Sequence, residues 1–279
     1  MAEGIDSDAA VDNLEEAVHT ALLLGMRDIF LKELFELAVR EGIAESLLQA
    51  AVSNLPVTPS GLAQMLADEN GDLGDVTAAR DAIDRLADLS LVHRFPDGSV
   101  WVHRWTAEGL ANFGDAALFR ARCTRAGRYR MWRAEHETHS LNDGIEAVRN
   151  FLSGEDFDAA AESAIDCLDA LNRFNQSVSV AALASEVLEK LPEGHSLFAP
   201  IADREAQAHL ALGFTDRARE RYQRLMEGHE RLAAGEPDRA DYQRDLSLLY
   251  NKLGDLYRAL GQGEQAREAY SKSLAIRER

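Results

Sequence analysis

The chain is poor in several things, and each shortage excludes a class of protein. It has two cysteines in 279 residues, Cys123 and Cys167. Two thiols make neither a disulfide framework nor a cysteine metal cluster. Six prolines and 7% aromatics, against 46% hydrophobic residues rich in Ala and Leu, describe a helical protein able to bury a sizeable core. No apolar run approaches the roughly 18 residues of a membrane span. Nowhere is glycine followed directly by lysine, so there is no phosphate-binding P-loop. The start, Met1-Ala-Glu-Gly-Ile-Asp-Ser-Asp, lacks a signal peptide's basic and apolar regions. These features together predict a cytoplasmic protein that binds no membrane and carries no cofactor.

Positive charge is also scarce. The net charge is −18, and it is uneven. Residues 1–60 carry 11 acids and 3 bases, 61–116 carry 10 and 4, 151–200 carry 9 and 2, and 201–279 carry 14 of each. Only residues 117–150 reverse the sign, with 7 bases and 4 acids. Such a chain repels a polyanion, which disfavours nucleic acid as a partner.

Four segments follow from patterning. Residues 1–43 form an N-terminal helical segment, with a helix ending at Gly42, a C′ glycine. Residues 44–113 hold three helices and a hairpin. Thr58 caps a helix with Pro59 at its first position, and Asp75 caps the helix Val76–Leu89. Leu91–Phe95 and Ser99–His103 flank the turn Pro96-Asp97-Gly98, and Thr106 caps a helix to Phe113. Three helices followed by a β-hairpin make a winged helix. Residues 114–140 form a connecting helix rich in arginine, with Arg120, Arg122, Arg125, Arg128, Arg130 and Arg133 expected to pair with neighbouring carboxylates. From 141 to 279 every segment is helical, and Gly154, Gly194, Gly213, Gly235 and Gly261 mark turns.

The last stretch repeats. Shifting by 48 residues lays Gly213 on Gly261, Ala218 on Ala266, Arg219 on Arg267, Glu220 on Glu268 and Tyr222 on Tyr270. Tyr250, Leu253, Gly254, Tyr257, Gly261, Ala266 and Tyr270 resemble the signature of a tetratricopeptide (TPR) repeat. The expected fold is therefore mainly α: a winged-helix domain with one β-hairpin, then a TPR-like α-solenoid. The first copy continues beyond the point where the second stops at Arg279. Further repeats are expected to follow, with the last helix presenting an apolar face.

The order of helical segment, winged helix, basic helix and repeats resembles the C-terminal half of bacterial STAND-type signalling ATPases, including NB-ARC proteins. Leu55-Pro56-Val57-Thr58-Pro59-Ser60 resembles the start of their winged helix. In Val100-Trp101-Val102-His103-Arg104-Trp105, His103 falls on the family's histidine that senses bound ADP. Val102 and Arg104 stand where the family has methionine and aspartate.

The resemblance implies a non-enzymatic regulatory and sensor module that binds a protein partner on the concave face of the array. That module would be fused to or partnered with an NTPase or protease effector. By position the partner-binding residues are Asn251, Asp255 and Arg258, with Asp203, Gln207 and Leu210 in the preceding copy. The alternatives are a winged-helix transcription regulator that binds DNA and a TPR adaptor subunit of a protease complex. Val76–Leu89 carries Asp81, Asp84 and Asp88 against Arg80 and Arg85, a poor match for a DNA groove. His136-Glu137-Thr138-His139 lacks a third metal ligand, and Cys123 lacks a base, so neither metal nor nucleophilic chemistry is expected.

Overall fold

The computed structural model describes residues 29–67, 74–111, 114–235 and 240–278. The helix expected before residue 29, the loop at 70–73 and the end at Phe113 lie outside them. The chain is mainly helical and divides into two units.

The first unit runs to Arg133 and includes residues 153–155. Helix α1 (29–40) ends at Gly42, whose φ is 71°. Ile43 N donates to Ala38 O across this left-handed residue, the bond of a Schellman cap. Then come α2 (Ala44–Ala51), α3 (Pro59–Leu66) and α4 (Val76–Asp88). Both expected caps form: Thr58 Oγ1 accepts from Gly61 N at 3.1 Å, and Asp75 Oδ1 accepts from Thr77 N at 2.8 Å.

Strands β1 (His93–Arg94) and β2 (Val100–Trp101) pair antiparallel, His93 opposite Trp101 and Arg94 opposite Val100. Val57 adds a bridge to Val100, with both N–H···O bonds at 2.8 Å. The strands are shorter than their sequence pattern. Leu91 is consumed in ending α4, its N–H donating to Leu86 O. His103 turns the chain into α5 (Arg104–Leu110). That helix starts before Thr106 because His103 itself supplies the cap, Nδ1 accepting from Trp105 N at 3.3 Å.

Helix α6 (Ala116–Arg133) is built into this unit's core. Ala126 and Tyr129 pack with Val57, Leu62, Ile83 and Val100. Gly61 is small for the same reason: a Cβ there would lie 2.2 Å from the Tyr129 ring. The arginines act as polar staples. Glu45 accepts from Arg122 Nη2 at 2.6 Å and from Arg125 Nη2 at 2.9 Å. These two ion pairs are of the kind the sequence suggests. Arg130, fully buried, donates Nη2 to Ser53 Oγ, Leu55 O and Pro56 O at 2.6–2.8 Å. It satisfies backbone carbonyls of the loop between α2 and α3.

The second unit holds a π-helical turn (Ala134–Thr138) and seven helices among the described residues. These are α7 (Leu141–Ser153), α8 (Phe157–Arg173), α9 (Ser177–Leu188), α10 (Phe198–Ala211), α11 (Thr215–Gly235), α12 (Ala240–Ala259) and α13 (Gly263–Arg277). From α8 onward each helix packs on the next. Three-residue turns join α7 to α8, α8 to α9, α10 to α11 and α12 to α13. In each turn the middle residue is left-handed: Glu155 (φ 57°), Asn175 (55°), Gly213 (80°) and Gly261 (72°).

Each of these turns closes with the same Schellman bond. Asp156 N donates to Phe151 O, Gln176 N to Leu171 O, Phe214 N to His209 O and Gln262 N to Tyr257 O, at 2.8–3.0 Å. The unit is a row of αα-hairpins. Of the large apolar residues on α13, Leu274 is the exposed one, so the outward surface of that helix is not the broad apolar face expected.

Candidate partner-binding groove

The 48-residue offset has a physical counterpart. Gly254 leaves room for the Tyr270 ring, since a Cβ there would lie 2.6 Å from Tyr270 Cε1. Ala218 and Ala266 are both buried. Tyr270 donates its hydroxyl to Asp255 Oδ1 at 2.7 Å, and Tyr222 donates to Asp203 Oδ1 at 2.9 Å. The Tyr222 hydroxyl is pushed far above its ordinary pKa, first by burial and then by the Asp203 charge. The Tyr270 pKa is raised chiefly by its hydrogen bond to Asp255.

The first helices of the hairpins, α8, α10 and α12, are tied together by a ladder of ion pairs. Arg204 on α10 makes a two-pronged pair to Asp169 on α8, at 2.7 and 3.0 Å. Lys252 on α12 reaches Asp203 on α10. Arg204 and Lys252 are 48 residues apart, at equivalent places in the repeat. At the near end of α8, His195 Nε2 lies 3.0 Å from Asp158 Oδ1. Its Nδ1 accepts from Leu197 N, so the neutral ring carries its proton on Nε2 and donates to the carboxylate.

A cavity of about 430 Å³ opens beside this ladder. Ala199, Pro200, Leu248 and Leu249 give it an apolar wall. His195, Asp203, Arg204 and Lys252 give it a polar one. Leu248 is 45% exposed.

The structure places the expected site residues as follows. Asp203, Gln207 and Leu210 share α10; Asn251, Asp255 and Arg258 share α12. Asp203 is a hub, accepting from Tyr222, Lys252 and, at 2.8 Å, Gln207 Nε2. Asp255 accepts from Tyr270 and pairs with Arg258 at 3.1 Å. His103 lies in the other unit, exposed at the N-cap of α5, its ring 5.7 Å from that of Trp101. Lys252 and Leu248 were not singled out from sequence. The offset that aligns Lys252 with Arg204 was the signal available for Lys252.

Among the described residues no group of three or more His, Cys, Asp and Glu side chains could hold a metal ion. Cys123 and Cys167 are buried, and burial, with Asp166 adding to it, pushes the Cys167 thiol up to about 11. No described helix is long and apolar enough to cross a membrane.

No protein-family model matches the chain, and no curated protein sequence matches it. Solved structures do align with it. One is a crystal structure of the nearly identical TPR-like repeats of a Podosopora anserina protein named for a kinesin light chain. It is 14% identical, covers 72% of this chain and 86% of that one, and gives a TM-score of 0.34. Another is a Pyrococcus horikoshii signal transduction ATPase with numerous domains (STAND) and a tetratricopeptide repeat sensor. It is 12% identical, covers 90% of this chain and 46% of that one, and gives a TM-score of 0.29. Values this low name no partner, and the functional reading rests on the chain's own residues.

Proposed function

We propose that the chain is a non-enzymatic protein-interaction and sensor module. Its TPR-like array binds a protein partner along α8, α10 and α12, in the cytoplasm of a bacterium. The observation that carries this is the groove itself. The ion-pair ladder fixes three helices side by side, and unspent groups such as Asn251 and the exposed Leu248 remain on its surface. Asn251, Arg258, Gln207 and Leu210 would contact the partner directly. Asp203 and Asp255, already bonded within the array, would hold the shape of the surface.

The first unit would carry the signal. Its order of α2, the Val57 bridge, α3, α4, β1 and β2 supports reading it as a winged helix. Arg94 on β1 pairs with Asp84 of α4 at 2.5 Å, and Asp81 and Asp88 stay exposed. That surface favours a regulatory role over DNA binding. In the STAND-like setting, His103 would face a nucleotide held by an NTPase partner. With Nδ1 engaged in the cap, Nε2 would be the donor to a phosphate.

The test is affinity capture with the full chain, wild type and with Gln207→Arg and Asn251→Arg together. Capture of a protein that the double variant loses is expected. Failure to capture anything, or equal capture by the variant, would overturn the reading. A salt-dependent, sequence-selective gel shift would instead promote a DNA-binding regulator.

A further inference from the structure

The groove has an uneven charge, and the unevenness specifies a ligand chemistry. On α8, Asp158, Glu162, Asp166 and Asp169 are all exposed and follow at spacings of four, four and three. That spacing puts them on one helix face. The two ends of the stripe are located by their partners. Asp158 meets His195 and Asp169 meets Arg204, and both partners line the cavity. Glu162 and Asp166 lie between them on the same face of α8, beside the cavity and not in its lining. Neither makes an ion pair among the described residues, whereas Asp169 and Asp203 are neutralised by the ladder. Of the cations, Arg204 and Lys252 are engaged in the ladder, Arg244 at the cavity lies 3.6 Å from Asp245, Arg258 is paired with Asp255, and Arg173 stands at the C-terminal end of α8.

Beside the stripe, the apolar wall of Ala199, Pro200, Leu248 and Leu249 is large enough to seat one or two apolar side chains. We propose that the groove binds a basic peptide segment of a protein partner. Lysines or arginines of that segment lie along Glu162 and Asp166, and a neighbouring apolar residue enters the cavity beside Leu248. The inference rests on the reading of the array as a partner-binding surface and adds the chemistry of the partner.

An acidic protein attracts any polycation, so the test must separate a site from a general field. The probe is a fluorescein-labelled nonapeptide of lysines around a central Leu-Phe pair, titrated against the full chain by anisotropy. Counterparts carry Gln or Glu in place of every Lys. The Lys peptide is expected to bind and to weaken as salt rises. The Gln and Glu peptides are expected to bind at least tenfold more weakly. Glu162→Gln with Asp166→Asn should weaken the Lys peptide roughly tenfold.

Leu248→Glu is the decisive variant, because it adds negative charge while blocking the apolar wall. Groove binding is lost in it, and non-specific attraction is strengthened. Undiminished binding to Leu248→Glu, or no binding to the wild type, overturns the proposal. If the Gln or Glu peptide binds as tightly and Leu248→Glu abolishes it, basic chemistry fails while the partner-binding reading stands. The affinity capture described above decides that reading separately.

Discussion

Lys252 reaches from α12 back to Asp203 on α10, and the contact is part of a larger knot. The same carboxylate accepts the Tyr222 hydroxyl at 2.9 Å and the Gln207 amide at 2.8 Å. The two partners are therefore unequal. Asp203 has a side chain 18% exposed and Lys252 one 37% exposed. Asp203→Ala strands a buried Tyr222 hydroxyl and is expected to cost about 1–3 kcal/mol. Lys252→Met removes a partly solvated charge and is expected to cost less than about 1 kcal/mol. Urea denaturation of the two variants checks the ranking, and a larger loss in Lys252→Met would refute this account of the knot.

Two glycines of the array should fail for different reasons. Gly254→Ala places a methyl 2.6 Å from Tyr270 Cε1, and the ring has to move. The expected loss is about 1–3 kcal/mol, as for other overpacked sites. Gly213→Ala meets nothing within 4 Å but must hold φ at 80°. There the cost is backbone strain of about 1–2 kcal/mol. Tyr270→Ala should therefore rescue part of the Gly254→Ala defect and none of the Gly213→Ala defect. Additive losses in both double variants would show that the Gly254–Tyr270 contact is not the cause.

The sequence made local chemistry legible and left long-range pairing hidden. Thr58, Asp75, Gly42, Gly213 and Gly261 announce caps and turns because their side chains, or lack of one, act within four residues. Asn175 and Glu155 adopt the same left-handed turn without glycine, and only the repeated Schellman bond reveals the equivalence. Arg130 could not be placed from sequence. Three acceptors of its Nη2 lie 74–77 residues away and are carbonyl and hydroxyl oxygens, which no local pattern points to. The residues expected to bind a partner fall on two helices, α10 and α12. Leu248 was missed because an apolar residue on a periodic helix reads as core until its exposure is seen.

Arg130 is also a target for mutation. One nitrogen, Nη2, serves three oxygens, those of Ser53, Leu55 and Pro56. Arg130→Met keeps the packing stem but leaves these acceptors without this donor, at an expected cost of about 3 kcal/mol or more. Arg130→Lys offers three N–H groups on a single nitrogen and should cost clearly less. Thermal melts of the pair decide between hydrogen bonding and mere volume. Equal losses would mean that the guanidinium plane, not the single donor nitrogen, is what the site needs.

The ladder should leave a signature in acid. Arg204, by its hydrogen bonds first and its charge second, holds the Asp169 carboxyl below its ordinary value of 3.8. A folded-state pKa below the unfolded one means that the unfolded chain takes up the proton more readily. The stability from this pair is thus fully present well above pH 3.8 and is lost as pH falls through the lower folded value. Asp169→Asn lacks that titration. The wild type should exceed the variant by a constant margin between pH 7 and 5, and the margin should shrink as pH falls toward 3. Comparing the two proteins largely cancels the discharge of the other carboxylates, which both share. Urea midpoints across this range measure the margin, and one that grows on acidification would mean that the Arg204 pair does not stabilise the array.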